Sequence, residues 1–421
     1  MNYTKKVLKN GLRIITVPMK SNPTVTVLVL VEAGSKYENK ENNGISHFLE
    51  HMCFKGTAKR PTSADISKEL DGMGAIHNAF TSHEYTGYYA KGDHKNLDQI
   101  LDVVSDMYLN PVFPEKEIEK EKGVVIEEIN MYNDSPASIV AHEFFKLLYG
   151  DTPAGWSVAG TKENVHKMTR TDFIDYRNKH YVASATTVII AGKIDEKDIF
   201  KKVPKIFKDS GTWKKEEKRK VIESQIAPQA TVFYKDTDQT HMILGVRSFD
   251  TYNRYNPIIR VLGGVLSGMS GRLFQKMREE LGICYYVSPS NDAFTDHGIF
   301  TVSAGVDSTR VKEAITAILE ELKKLKTTLV KKDELDKVKQ YLIGNLNLGL
   351  ESSDSVAHFF GGQEILKEKV RTPEDIIKEI KAVTAEEIKF VAEKIFKDGG
   401  LNLALVGKFK DKKEFLEVLK F

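Results

Sequence analysis

No stretch of the 421 residues approaches the roughly 18 uninterrupted apolar residues that a membrane-spanning helix needs, so no membrane partner is expected. The opening residues, Met1 to Gly11, hold no apolar core of signal-peptide length, and a cytoplasmic location is the expectation. Cysteine is scarce. Cys53 and Cys284 cannot build a disulfide framework, which suits a reducing compartment. Charge of one sign is missing too: 62 Lys+Arg against 59 Asp+Glu leaves +3, without the basic excess of a nucleic-acid binder. What is present is ordinary globular material, 41% hydrophobic and 29% charged, long enough for two or three domains of about 150 residues.

Asn10-Gly11 between two β-prone runs reads as a hairpin, and the apolar run 24–32 as a buried strand. Helices are predicted over 45–55, 63–73 and 97–109, with strands over 75–90 and a long helix starting near Glu115. The second half repeats this order. Asn78-Ala-Phe-Thr81 matches Asp292-Ala-Phe-Thr295, an offset of 214 that also sets Asp93 over Asp307 and the helix 97–109 over 311–323. The next helices align at an offset of 217. The chain therefore reads as an α+β protein of two homologous halves, 1–207 and 230–421, each an antiparallel-rich sheet packed with helices. The segment 208–229 reads as a linker, its run Lys214-Lys-Glu-Glu-Lys-Arg-Lys220 as a solvated stretch.

The chemistry begins at His47-Phe48-Leu49-Glu50-His51. On a helix, His47 and His51 project from one face with Glu50 between them, so two imidazoles can share a metal while a carboxylate takes a proton from water. A third ligand has to come from another element. On the helix after Glu115, Glu121 and Glu128 fall within about 20° of each other on the side that also carries Val124, Val125 and Tyr132. A carboxylate aimed at a core needs a partner, and a metal is one. Glu128 is the candidate third ligand, and Glu121, two turns earlier, an auxiliary carboxylate.

These residues resemble the pitrilysin/insulinase-type zinc metallopeptidases, and most of all their processing-peptidase branch. The surrounding words agree: Gly44-Ile-Ser-His-Phe-Leu-Glu-His-Met52, Phe54-Lys-Gly-Thr57, Asn78-Ala-Phe-Thr-Ser82, Tyr88-Tyr-Ala90 and Gly268-Met-Ser-Gly-Arg-Leu-Phe274. The resemblance implies one zinc per chain, held by His47, His51 and Glu128, with Glu50 as general base and Glu121 as auxiliary glutamate. It implies that Arg278 and Tyr285 hold peptide substrate and stabilise the tetrahedral intermediate. Asn78 and Ala79, with Phe80 beside them, match the edge strand that pairs with the substrate backbone. Two chains closing as a clamshell around a chamber are implied, either as a homodimer with sites completed in trans or as a heterodimer with a related zinc-less chain.

Cys53 departs from the family pattern, where a small or apolar residue is usual. It is expected to pack as a small hydrophobe, with oxidation near zinc as the other possibility. The second half carries none of the ligands, since Val261, Gly264, Val265 and Asn345 stand at the places of His47, Glu50, His51 and Glu128. Gly263-Gly264 and Gly361-Gly362 lack a phosphate-loop context, and His77, His83 and His94 are expected to be structural or exposed. Besides a zinc endopeptidase, the sequence allows a non-catalytic or partner-dependent subunit of the same fold, and a structural metal module. Glu50 has no structural reason to sit beside the ligands and speaks against the last.

Overall fold

A computed structural model describes residues 1–366 and 369–421. It contains two compact units. The first comprises Met1–Asn130, Trp156–Arg219 and Asn347–Thr372, and the second Met131–Gly155, Lys220–Leu346 and Pro373–Phe421.

The first unit is built on six strands: β1 (Thr4–Val7), β2 (Arg13–Pro18), β3 (Thr24–Val31), β4 (Ile76–Thr81), β5 (Thr86–Asp93) and β6 (Thr186–Gly192). Their order is β1-β2-β6-β3-β5-β4, with β2–β6 parallel and the other pairs antiparallel. The Asn10-Gly11 signal does form a hairpin, closed by the Leu8 N–H donating to the Leu12 carbonyl at 2.8 Å and the Gly11 N–H to the Leu8 carbonyl at 2.9 Å, with Gly11 at φ 90°. The run 24–32 is apolar throughout because β3 is covered on both faces. Val25, Val27, Val29 and Val31 face one core, shared with the helices α1 (Ile45–Met52), α2 (Ser63–Gly72) and α3 (Leu97–Leu109). Leu28 and Leu30 face a second core under the helix Ser353–Ile365. Each such side chain stabilises the sheet by about 1.5–3 kcal/mol. Gly361 is a glycine here because a Cβ would come 2.9 Å from Leu30 and 3.0 Å from Ile189. That contact is packing, in keeping with the absence of a phosphate-loop context.

The second unit repeats the sheet without the first strand. Strands β7 (Gln229–Tyr234), β8 (Gln239–Ser248), β9 (Cys284–Ala293), β10 (Gly298–Asp307) and β11 (Asn402–Gly407) run in the order β7-β11-β8-β10-β9, with β7–β11 parallel. The helix Val311–Thr327 starts 214 positions after α3, and Lys332–Leu348 starts 217 after α4 (Glu115–Asp134). The compact units nevertheless cut across the sequence halves. The helix Pro136–Tyr149 packs Ile139, Val140 and Phe144 on the second sheet, while its counterpart Ser353–Ile365 packs on the first. Each unit takes one covering helix from the other half of the sequence.

The repeated word Asn-Ala-Phe-Thr and Asp-Ala-Phe-Thr is not a structural equivalence. β5 and β10 end on Asp93 and Asp307 as the offset requires, and Asn78 lies opposite Tyr89. The residue opposite Ser303, the counterpart of Tyr89, is Ser288 rather than Asp292. The β9–β10 turn, 294–297, comes two positions earlier than the offset sets for the β4–β5 turn, 82–85, which shifts the cross-strand register by four and leaves Asp292 opposite Ile299 near the strand end.

The charged run after Trp213 is also not simply solvated. Lys215 reaches Glu32 and Lys218 reaches Glu84, carboxylates only 5% and 4% exposed, which Arg13 at 2.9 Å and Lys36 at 3.2 Å also contact. Buried carboxylates require such cations. Among the described residues no helix is long and apolar enough to cross a membrane.

Candidate metal centre

The residues of α1 divide by face. Ile45, Phe48, Leu49 and Met52 recur at helical spacing and are fully buried in the core, with Phe48 edge-on to Phe173 at 4.9 Å. His47, Glu50 and His51 are left on the opposite side. The helix begins at Gly44, whose φ of 102° and contact with the Ala159 carbonyl, 2.8 Å from where a Cβ would stand, exclude a side chain. Its free N–H groups are met by Glu38. One carboxylate oxygen accepts from Ser46 N at 2.8 Å, and the other from Gly44 N at 2.8 Å and Asn43 Nδ2 at 2.9 Å. Burial pushes the Glu38 carboxyl up, against these hydrogen bonds. Replacing Glu38 by Ala leaves buried donors unmet, and urea unfolding should show a loss of about 2–3 kcal/mol.

α4 supplies the third donor. Its buried stripe is Ile118, Glu121, Val125 and Ile129. That stripe is centred about 60° from Glu128 on the helical wheel, so Glu128 sits at its edge and Val124, expected inside, is half exposed. His47, His51 and Glu128 each present a ligand atom within 4.8 Å of the others. The two Nε2 atoms are 3.3 Å apart, and Glu128 lies 3.5 Å from His47 Nε2 and 3.3 Å from His51 Nε2. His51 Nδ1 is 3.0 Å from Glu121 Oε1, and Lys55 Nζ lies 2.6 Å from the other Glu121 oxygen.

This donor set fits a zinc ion. Glu121 fixes the proton of neutral His51 on Nδ1, which turns the Nε2 lone pair toward His47 Nε2 and Glu128. Two imidazole nitrogens and a carboxylate converging on one point are a donor set that would hold a zinc ion. The same carboxylates also favour a proton on His51, so a proton and a metal compete for this imidazole. Burial alone would lower the His51 pKa, but the bonds to Glu121 and Glu128 prevail and raise it to about 9. Glu121 is desolvated, yet His51 and Lys55 hold its carboxyl below the usual value.

Glu50 is mostly buried, and burial raises its carboxyl while Thr81 opposes the shift. Thr81 Oγ1 donates to Glu50 Oε2 at 2.7 Å. Thr81 closes β4, the edge strand that also carries Asn78, Ala79 and Phe80. The Ala79 N–H donates to the Asn78 side chain at 2.9 Å, and Phe80 packs on His358 at 5.3 Å. Arg278 and Tyr285 belong to the second unit, where they contact each other: Arg278 Nη1 donates to the Tyr285 carbonyl at 2.6 Å and the guanidinium lies 5.0 Å over the Tyr285 ring. Tyr285 is 69% exposed. Cys53 is fully buried, and burial pushes its thiol up to about 12, so it packs as a small hydrophobe rather than a reactive thiolate.

Three contributors escaped the sequence reading. Glu38 carried no signal, as an isolated glutamate ahead of the motif. Thr81 and Lys55 were parts of matched words but had no role there. In the second unit the corresponding space is closed. A Cβ on Gly264 would come 2.7 Å from Val338 Cγ1 and 3.1 Å from Leu342 Cδ1, so apolar contact replaces the donors.

The family profile described as Insulinase (Peptidase family M16) matches residues 13–162, and that of the Peptidase M16 inactive domain matches 167–342. The chain belongs to the M16, or insulinase, peptidase family. It is 35% identical to the "Uncharacterized zinc protease YmxG" of Bacillus subtilis, over 92% of this chain and 94% of that one. It is 33% identical to an "Uncharacterized zinc protease" of Rickettsia felis, over 94% and 95% of the two chains. A crystal structure of a protease from Helicobacter pylori shares the fold at a TM-score of 0.89, with 24% identity over 96% of this chain and 99% of that one.

Proposed function

We propose that this chain is a zinc-dependent endopeptidase that hydrolyses peptides or unfolded segments. The observation that carries this is the convergence of His47, His51 and Glu128 within 4.8 Å, with Glu50 held beside them by Thr81. Zinc in that position supplies Lewis acidity toward a peptide carbonyl and acidifies water. The protein's own groups do the rest. Glu50, its carboxyl raised by burial toward the useful range of a base, takes the proton from the attacking water and delivers it to the leaving amine. Glu121 orients His51 through Nδ1, and Lys55 holds Glu121. The outer edge of β4 offers backbone pairing at Asn78–Phe80, where a peptide would take the Ala79 N–H from the Asn78 side chain, and such pairing gives affinity with little side-chain preference. A strong chelator should abolish cleavage of a fluorogenic peptide, and one equivalent of zinc per chain should restore it. Activity that survives metal removal would refute the proposal.

The same reading includes two copies closing around a chamber, with Arg278 and Tyr285 of one copy stabilising the oxyanion in the site of the other. Their support is the exposed, mutually stacked arrangement of the pair. Mixing Glu50→Gln chains with Tyr285→Phe chains should recover activity that neither variant has alone, and mixtures as inactive as their components would count against sharing.

A further inference from the structure

Three histidines lie around the β4–β5 hairpin, and two have evident partners. His83 Nδ1 is 2.9 Å from Ser35 Oγ, and His94 Nδ1 is 3.1 Å from the Pro23 carbonyl. His77 has no hydrogen-bond partner among the described residues, and its Nδ1 is buried. The ring is half-buried, 6.5 Å from Phe54 with the planes 31° apart. Its strand position places it on the side of the metal donors. Residues alternate along β4, so His77, Ala79 and Thr81 share a face. Thr81 on that face bonds Glu50, and Ala79 and Phe54 both pack against the core beneath α1. Ile76, Asn78 and Phe80 take the other face, where Phe80 meets His358.

A buried imidazole nitrogen without an acceptor is cheaper to leave as a lone pair than as an N–H, so the proton of neutral His77 belongs on Nε2, the accessible nitrogen. His77 therefore presents a donor, backed by an aromatic ring, on the metal side of an unpaired strand edge. It stands four positions from Thr81, about 13 Å along the strand. A peptide pairing with β4 would carry one of its own side chains over this spot.

We propose that His77, backed by Phe54, is a subsite for a carboxylate side chain of the substrate, an Asp or Glu within about four residues of the scissile bond. A carboxylate is the acceptor of choice because a charge-assisted bond is roughly twice as strong as a neutral one. The subsite rests on the peptidase reading, but binding tests it separately from cleavage. In zinc-loaded Glu50→Gln chains, fluorescence anisotropy would compare octapeptides in which a single Glu is moved through a neutral sequence with the same peptides carrying Leu. At one position Glu should bind about tenfold tighter than Leu. His77→Leu should remove that difference at that position alone, and His77→Gln, which keeps a donor, should retain part of it. Equal binding of Glu and Leu at every position, or a uniform loss in His77→Leu with the preference intact, would overturn the subsite. Wild-type chains that bind with this preference but cut nothing would refute the peptidase reading and leave the subsite standing.

Discussion

Replacing Glu50 by Gln should lower kcat for peptide cleavage by about 10²–10⁴-fold, the usual worth of a general base, while KM and bound zinc stay near their wild-type values. The geometry makes the substitution selective. Gln keeps an oxygen able to accept from Thr81 Oγ1, now at 2.7 Å from Glu50 Oε2, so the side chain stays in place. It removes the negative charge and the proton acceptor and nothing else. Glu50 is not among the three converging donors, so the metal should remain. Steady-state kinetics together with metal analysis of the same preparation checks both halves. A variant retaining a third or more of the activity would mean that another group takes the proton. Loss of zinc along with activity would make Glu50 a ligand or a structural residue.

The second large effect belongs to Glu128. A four-ligand zinc site is worth about 10–16 kcal/mol, or roughly 3–4 kcal/mol per ligand, so Glu128→Gln should weaken zinc binding by about 10²–10³-fold. Because the Glu128 side chain is 23% exposed at the edge of the buried stripe, the substitution should leave the fold intact. Glu121 is the control. It touches His51 rather than the converging point, and Glu121→Gln should cost only about 10–100-fold in zinc affinity. Competition against a chromogenic chelator, on chains with unchanged circular dichroism, ranks the two. The reverse order would make Glu121 the ligand and Glu128 the supporting carboxylate.

Local sequence pattern carried the parts of this architecture that depend on local physics. The apolar run of β3, the Asn10-Gly11 hairpin and the one-faced placement of His47, Glu50 and His51 follow from periodicity and turn chemistry, and all are present. The pairing of Glu121 with Glu128 on one side of α4 was also readable from spacing. The centre of the buried stripe was not, because a wheel cannot tell whether Val124 or Ile118 faces the core until the neighbouring helix is known. The helix exchange is invisible to pattern: nothing in the residues of Pro136–Tyr149 or Ser353–Ile365 says which of the two sheets each covers. The equivalence drawn from Asp292-Ala-Phe-Thr295 failed because similar words on hairpins whose turns fall at different places in the repeat differ in register. Glu38 and Lys218 were hidden for another reason. Their partners, the helix N-terminus and Glu84, lie on different elements, and charged residues in loops look solvated until a buried group claims them.

The most direct test is a cleavage map. Zinc-loaded wild-type chains and Glu50→Gln chains of equal zinc content would be incubated with a pool of unfolded polypeptides, and new termini read by mass spectrometry. A zinc endopeptidase built on His47, His51, Glu128 and Glu50 produces internal cuts with the wild type and almost none with the variant. No cuts from the zinc-loaded wild type, or the same cuts from both chains, would contradict it.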